Sequence, residues 1–500
     1  MSRAQSAVSA SYAWELLKWP FSFPAMLGML LAGRMFYEGR KFFLDPDAWW
    51  HIKAGQAILA THLFPVTDTY SFTGHGQPWI AYEWLGEVVT GWLANMGGLL
   101  ALDFYLIALG SAILIALYYL GTLRSGNSKA GFVAAALVAS WALSSFTLRP
   151  QMLGNLFLVL TLICLELFRH GQRKALWFVP VMMLAWVNTH GSFIIGLGVI
   201  FLCWISGLLE FDKGGIRAER WSPRQQREIS FAFLLCLAVL PFTPYGTRLA
   251  IYPFDLAFSQ PLVVTQIGEW QSLPFNMLGG KLFLAFIFGF FLAQMLFKFQ
   301  WRLDEMALFI GSAAMTAVHV RFIMFFVPFS VPLFACIAAR WIGPYSRAKD
   351  KYVLNAILIV AVLLAMVHYS PSQKYLEDRV AQRFPVQAVA YMREHAITGP
   401  LYNNYFFGGY LIWAGYRTFI DGRADIFERG GVFSDYLYII DLKPGALSVL
   451  QAYGVRACLL ERGEPLSTLL AASPDWKRVY ADNVSELYVP KGSSDSSPRK

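Results

Sequence analysis

The chain of 500 residues is 56% hydrophobic and 16% aromatic but only 15% charged, against about 25% charged in soluble domains, which excludes an ordinary soluble globular protein. Its mean hydropathy of +0.46 predicts a polytopic α-helical membrane protein instead, with the lipid bilayer as its first partner. The net charge of +9 would suit nucleic acid, but no basic patch is interleaved with aromatics, so nucleic acid is excluded as a partner.

Residues 1–20 lack the small-residue cleavage pattern of a signal peptide and are expected to form a short cytoplasmic N-terminus before an anchoring span at 21–37. A first outer loop, 38–98, is long enough to carry structure of its own. It holds a predicted helix at 48–59, a turn-rich stretch at 65–78 and a second helix at 82–95. In that second helix Trp84, Leu85, Val88, Val89, Trp92 and Leu93 recur at three-to-four spacing, which suits a helix lying along the bilayer surface. Apolar segments follow at 99–120, 130–147, 152–168, 176–187, 193–211, 231–242, 282–297, 305–317, 322–339 and 353–369. With the first they make about eleven candidate spans in a transmembrane domain of residues 21–369, several shorter than the usual ~20 residues.

Lys and Arg concentrate in alternate connections: Arg169, Arg173 and Lys174; Lys213, Arg217, Arg220, Arg224 and Arg227; Arg340, Arg347, Lys349 and Lys351. The intervening loops hold few, among them Arg40, Lys41, Arg149, Arg248 and Arg321. The positive-inside rule places the rich set in the cytoplasm. An odd number of spans then puts 370–491 outside. That region alternates predicted helices, at 386–395 and 445–453, with strands at 418–420, 457–460 and 487–489, and is expected to be a small exterior α/β domain. The Ser-rich tail 492–500 is expected to be disordered. Of five cysteines, four lie in predicted spans and Cys458 stands alone outside, so neither a disulfide framework nor zinc spacing is present.

The most informative stretch is Phe43-Leu44-Asp45-Pro46-Asp47-Ala48-Trp49-Trp50-His51, two carboxylates and an imidazole where the first span meets water. Ionisable groups kept beside lipid are costly and mark functional sites. Asp47 alone would also serve as the N-cap of the helix that follows. Other polar groups fall in turns on the same side: Glu83, Arg149-Pro150-Gln151, Asn188-Thr189-His190-Gly191, Gln266-Ile267-Gly268-Glu269-Trp270 and His319-Val320-Arg321. With no P-loop and no Gly-x-Gly-x-x-Gly to hold a nucleotide, the chemistry that fits is transfer of a sugar from a polyprenyl phosphate. A carboxylate takes the acceptor's proton, and Arg or His holds the departing phosphate.

These residues carry a family resemblance. Asp45-Pro46-Asp47-Ala48-Trp49-Trp50-His51 is similar to the first-loop motif of oligosaccharyltransferase catalytic subunits, and Gln266-Ile267-Gly268-Glu269 more loosely to their later Glu-containing motif. Arg149-Pro150-Gln151, Trp186-Val187-Asn188-Thr189-His190-Gly191-Ser192, Gly408-Gly409-Tyr410-Leu411 and Phe419-Ile420-Asp421-Gly422-Arg423-Ala424-Asp425 resemble bacterial GT-C-like membrane proteins over nearly the whole chain. The resemblance implies a GT-C membrane glycosyltransferase of the bacterial inner membrane, with its C-terminal domain in the periplasm. It implies inverting transfer of a hexose or pentose from a polyprenyl-phosphate-linked donor to a glycan, lipid or protein acceptor. The sequon-binding Trp-Trp-Asp-Tyr-Gly motif is absent. On this reading Asp47 or Asp45 is the catalytic base. His51, Glu83, Arg149, Asn188, His190, Glu269, His319, Arg321, Asp421 and Arg423 are the substrate-binding candidates. A divalent cation, Mg or Mn, is the cofactor such motifs imply, with Asp47, His51 and Glu269 as candidate ligands. Two alternatives stay open: Asp421-Gly422 as the centre of a tight hairpin turn, and a flippase or other transporter of lipid-linked sugars, for which Asp103 and Glu166 within spans would speak.

Overall fold

The computed structural model describes residues 18–39, 44–143, 146–258, 260–297 and 299–492. The start of the expected cytoplasmic N-terminus, Arg40, Lys41, Phe43 and the tail beyond 492 lie outside the described residues. Among the described residues every apolar segment named above falls at least in part on a helix. In chain order these are α1 (Phe23–Gly39), α2 (Pro46–Thr61), α3 (Trp84–Ser125), α4 (Ser128–Val138), α5 (Gln151–Arg169), α6 (Phe178–Val187), α7 (Phe193–Ser206), α8 (Pro223–Ala238), α9 (Thr247–Phe258), α10 (Pro261–Gln266), α11 (Leu278–Phe297), α12 (Leu303–Val318), α13 (Ile323–Ala338) and α14 (Tyr352–His368). Among the described residues, four segments suffice singly by length and composition to cross a membrane: Trp84–Ser125, Gln151–Arg169, Leu278–Phe297 and Val320–Ala338. The helix α14 continues into α15 (Gln373–Ala381) after a bend of 62°, a candidate fifth crossing.

Two predicted elements, the loop helix at 82–95 and the span at 99–120, are one helix broken at Gly97-Gly98. Gly98 takes φ 58°, ψ −141°, a conformation open to glycine and costly for other residues. The break lets the first part of α3 lie across α2 while the second enters the bundle. Glycines set how closely the two helices pack. A Cβ on Gly55 would lie 1.8 Å from the Glu87 carbonyl oxygen, and one on Gly91 would lie 2.6 Å from the Gln56 nitrogen. Backbone thus meets backbone, and one turn before each glycine His51 is brought to Glu87. The opposite side of α2 buries Trp49 and Ile52 in the bundle core, each worth about 1.5–3 kcal/mol.

At the other end of the bundle, Arg124 pairs with Glu305 (2.5 Å), Arg169 with Asp304 (2.6 Å), and Arg302 with Glu166 through two contacts of 2.6 and 3.1 Å. Acidic groups are therefore present at both ends of the bundle. Glu166 is half of a structural ion pair tying α5 to Arg302, the cap residue of α12, and losing one partner of such a pair costs about 3–5 kcal/mol.

Beyond α15 and α16 (Val386–Glu394) the chain forms a four-stranded sheet from β4 (Leu401–Asn403), β5 (Ala457–Glu461), β6 (Trp476–Ala481) and β7 (Ser485–Pro490). Its order is β4-β5-β7-β6, with β4 and β5 parallel and the other pairings antiparallel. Strands β1 to β3 (Phe211–Lys213, Ile216–Ala218, Trp301–Arg302) form a small separate sheet. The predicted strand at 418–420 does not form. Thr418 makes only isolated bridges, to Ser71 of the first loop and to Leu401. The segment is a seam between the loop and the sheet edge.

Candidate active site

Proline can occupy the first position of a helix, where its missing N–H costs nothing, so the residue before Pro46 is the cap. Asp45 is that residue: its Oδ1 accepts the Asp47 N–H at 2.9 Å. The capping role considered for Asp47 falls to Asp45, and the Asp47 side chain turns to Arg149 instead. Both carboxylates meet Arg149, from the turn before α5. Its Nε donates to Asp45 Oδ2 (2.8 Å), its Nη2 reaches Asp47 Oδ2 (3.0 Å), and its Nη1 reaches Glu269 Oε1 (3.0 Å). Asp45 is thereby committed at both oxygens. The Oδ1 of Asp47 faces Gly422 and the Trp50 indole, and a Cβ at position 422 would come within 1.8 Å of it, so only glycine lets this turn of the C-terminal domain lie on the carboxylate. Burial pushes the Asp47 carboxyl up to about 6, outweighing the opposing pull of Arg149.

Beside this centre runs a second chain of ionisable groups. The His51 Nδ1 lies 3.0 Å from Glu87 Oε1 and its Nε2 3.4 Å from Glu83 Oε2, while His190 Nε2 faces Glu83 Oε1 at 3.3 Å. The Ser192 N–H donates to His190 Nδ1 at 3.0 Å, so that nitrogen is an acceptor and the ring proton sits on Nε2, toward Glu83. Burial raises Glu83 to about 8 and lowers His190 to about 3, with His51 also well below its ordinary value. Burial thus favours a protonated Glu83 and two neutral imidazoles, with the His190 Nε2–H directed at Glu83 Oε1 and His51 Nε2 facing Glu83 Oε2.

On the far side of Glu269, the Arg321 guanidinium lies 4.1 Å from the centre of the Trp270 ring. His319 fixes that tryptophan: its Nδ1 donates to the Trp270 carbonyl at 2.5 Å. Among the described residues Arg321 makes no hydrogen bond and no ion pair, whereas Arg149 is saturated by three carboxylates.

Three candidates stand elsewhere. Asn188 is consumed in structure, accepting the Trp84 Nε1–H (2.8 Å) and donating to the Leu184 (2.8 Å) and Phe242 (3.1 Å) carbonyls. Asp421 and Arg423 form neither a hairpin turn nor an exposed contact. The Arg423 guanidinium is buried between Asp421 (2.8 Å) and Asp68 (2.5 Å) and lies over Tyr70 and Trp79. They clamp the C-terminal domain onto the first loop. Sequence reasoning missed Glu87, although it stands one helical turn from Glu83 on the same face. It also missed Asp68, Tyr405, which is half-buried close to Asp47, and Tyr252, whose hydroxyl donates to Asp425 of α17 (Ala424–Arg429) at 2.6 Å. In that helix Glu428 caps α10 by accepting the Leu262 (2.8 Å) and Val263 (2.9 Å) N–H groups, which anchors the loop carrying Glu269.

The donor set expected for a divalent cation does not assemble. Asp47 and Glu269 close on Arg149, and His51 lies between Glu83 and Glu87. Among the described residues no three His, Cys, Asp or Glu side chains are arranged to hold a metal ion.

A helical bundle, a structured first loop bearing Asp45-Pro46-Asp47 and an α/β domain over that pair make a fold similar to that of two solved membrane glycosyltransferases. Two solved proteins of this fold show the likeness. The oligosaccharyltransferase of Archaeoglobus fulgidus in its apo form matches with a TM-score of 0.52 and 12% identity, over 87% of this chain and 69% of that one. ArnT from Cupriavidus metallidurans bound to undecaprenyl phosphate matches with a TM-score of 0.51 and 13% identity, over 96% of this chain and 98% of that one. The archaeal enzyme has also been solved with an inhibitory peptide and a dolichol-phosphate, and with zinc and sulfate. No protein-family model and no curated protein sequence matches the chain.

Proposed function

We propose that this chain is an inverting glycosyltransferase that moves a sugar from a polyprenyl-phosphate-linked donor to an acceptor hydroxyl at the outer face of the bacterial inner membrane. The observation that carries the reading is the division of labour around Glu269-Trp270. Asp47, whose Oδ1 takes no part in the Arg149 contact, stands on one side, and Arg321, a guanidinium that makes no ion pair among the described residues, on the other. Asp47 takes the acceptor's proton as the acceptor oxygen bonds to the anomeric carbon, and the bond from that carbon to the phosphate oxygen breaks with its electron pair leaving on the phosphate. Arg321 balances the charge that grows there. A phosphate leaves without protonation, so one base suffices, and a single displacement inverts the anomeric centre. The complexes of fold neighbours with dolichol-phosphate and undecaprenyl phosphate support a lipid-phosphate donor. Candidate donors are polyprenyl-phosphate hexoses and pentoses, and the acceptor is a glycan, lipid or protein. Purified protein in lipid nanodiscs, given labelled lipid-linked sugars, is expected to release free polyprenyl phosphate only when acceptor is present. Translocation of the intact lipid-linked sugar across vesicles, with no bond cleaved, would replace this reading with the flippase alternative.

Two further outcomes follow from the same reading. Arg321→Ala is expected to weaken binding of polyprenyl phosphate and to lower kcat/KM by about 10- to 100-fold, the scale of a lost charge-assisted contact. Unchanged lipid-phosphate affinity would remove Arg321 from the site. The about eleven spans expected from hydropathy place the N-terminus in the cytoplasm and the domain from 370 onward in the periplasm. Reporter fusions at Arg3 and Gly492 are expected to signal from opposite sides, and same-side signals would require an even number of spans.

A further inference from the structure

The carboxylates that a metal-dependent enzyme would offer to a cation are present at this site, but they close on a side chain. Three of the guanidinium nitrogens of Arg149 each take a different carboxylate: Nε takes Asp45 at 2.8 Å, Nη2 takes Asp47 at 3.0 Å and Nη1 takes Glu269 at 3.0 Å. Guanidinium presents its donors in a rigid planar fork. The carboxylate oxygens are therefore spread around a plane, whereas Mg²⁺ or Mn²⁺ draws its oxygens to about 2.0–2.2 Å from one point. Local packing fixes Arg149 there. A Cβ on Gly86 of α3 would lie 2.6 Å from the Pro150 Cβ, so the Arg149-Pro150 turn is seated directly on that helix. The remaining ligand candidate, His51, is held by Glu83 and Glu87.

We infer that Arg149 is the resident cation of this carboxylate cluster, a positioning residue that holds Asp47 ionised and oriented and ties the Glu269 loop to the start of α2, so that transfer needs no divalent metal. The inference rests on the glycosyltransferase reading and reassigns Arg149 away from the donor phosphate, leaving that role to Arg321. One arm of its test needs no substrate, so the two can fail separately.

In that arm, the purified full-length protein in detergent is titrated with Mn²⁺ and followed by electron paramagnetic resonance. The wild type is expected to hold no ion at this site, and Arg149→Lys, which keeps the charge, to behave likewise. Arg149→Gln, which leaves three carboxylates without a counter-charge, is expected to gain a single Mn²⁺ that a further Asp47→Asn change removes. A tightly held Mn²⁺ in the wild type that Asp47→Asn abolishes would overturn the inference. So would an Arg149→Gln protein, folded by its circular dichroism, that gains none, because the carboxylates would then not form a cation site. In the activity arm, transfer by the wild type is expected to survive EDTA unchanged, and loss of activity restored by Mg²⁺ or Mn²⁺ would overturn the inference. In Arg149→Gln the acid limb of the pH–rate profile is expected to move upward by about 1–3 units, since the nearby positive charge no longer favours the carboxylate. Arg149→Lys is expected to recover most of that displacement. A purely structural role would lower the rate without moving the limb, and that result too would contradict the assignment.

Discussion

Asp47→Asn is expected to lower transfer by about 10²- to 10⁴-fold while leaving the protein folded and able to bind a polyprenyl phosphate. The amide keeps the size of the carboxylate and can still accept from Arg149, but it cannot accept the acceptor's proton. Asp45→Asn distinguishes the two acids. Both Asp45 oxygens are already engaged, one by the Asp47 N–H and one by Arg149, so its replacement should disturb the start of α2 and the Arg149 contact without removing the base. Rate assays of both variants with saturating donor, alongside lipid-phosphate binding, measure the difference. The pH dependence has a definite sign. Asp47 is pushed up to about 6 and acts only when ionised, so the wild-type rate should rise with pH through about 6 and level off above it. Asp47→Asn should abolish that limb. If both variants kept full activity, the general-base assignment would be wrong.

Arg423→Ala is expected to be the most destabilising single change near the site. The guanidinium, Asp68 and Asp421 are all buried from solvent, and Thr418 donates to the second oxygen of Asp421 at 3.0 Å. Removing the cation leaves two buried carboxylates without a counter-charge, at a cost of about 3–5 kcal/mol. The loss should be felt at Asp47 too, because Gly422 sits on that carboxylate and is held there by its neighbours on either side. Thermal unfolding followed by tryptophan fluorescence should show a clearly lowered Tm. Arg423→Lys should not restore it, because an ammonium cannot reproduce the fork that meets both acids. An unchanged Tm would mean that the clamp does not hold the C-terminal domain to the first loop.

Hydropathy and capping rules read the helices well, because burial in a bundle and the fixed φ of proline are local properties. Pro46 even identifies Asp45 as the cap once the preference of proline for the first helical position is applied. The strands at 457–460 and 487–489 were legible for the same reason: each is a short run of apolar residues buried in the sheet. The seam at 418–423 was not legible. Its Asp-Gly pair carries the local signature of a hairpin, yet its conformation is set by Asp68, 355 residues from Arg423 in the chain. The site shows the same division. The acids and bases were visible as polar groups in turns on one side, but their pairing was not. Whether Arg149 faces a phosphate or three carboxylates depends on how α2, α5 and the Glu269 loop meet. Glycine contacts such as Gly55 against Glu87 decide that meeting, and nothing in the spacing of one segment reports it. The ion pairs at the other end of the bundle were hidden in the same way, since Glu166 and Arg302 lie 136 residues apart in the chain.

The central claim is that a lipid phosphate is gripped at the Asp47 end of the bundle by Arg321, the guanidinium beside Trp270 that makes no ion pair among the described residues. A cryo-electron microscopy structure of the full chain in nanodiscs containing polyprenyl phosphate tests it most directly. The account predicts phosphate density within hydrogen-bond distance of Arg321, beside Trp270, with the hydrocarbon tail between the spans and Arg149 still enclosed by Asp45, Asp47 and Glu269. Phosphate density at the opposite end, among Arg124, Arg169 and Arg302, or density that draws Arg149 away from its three carboxylates, would contradict it.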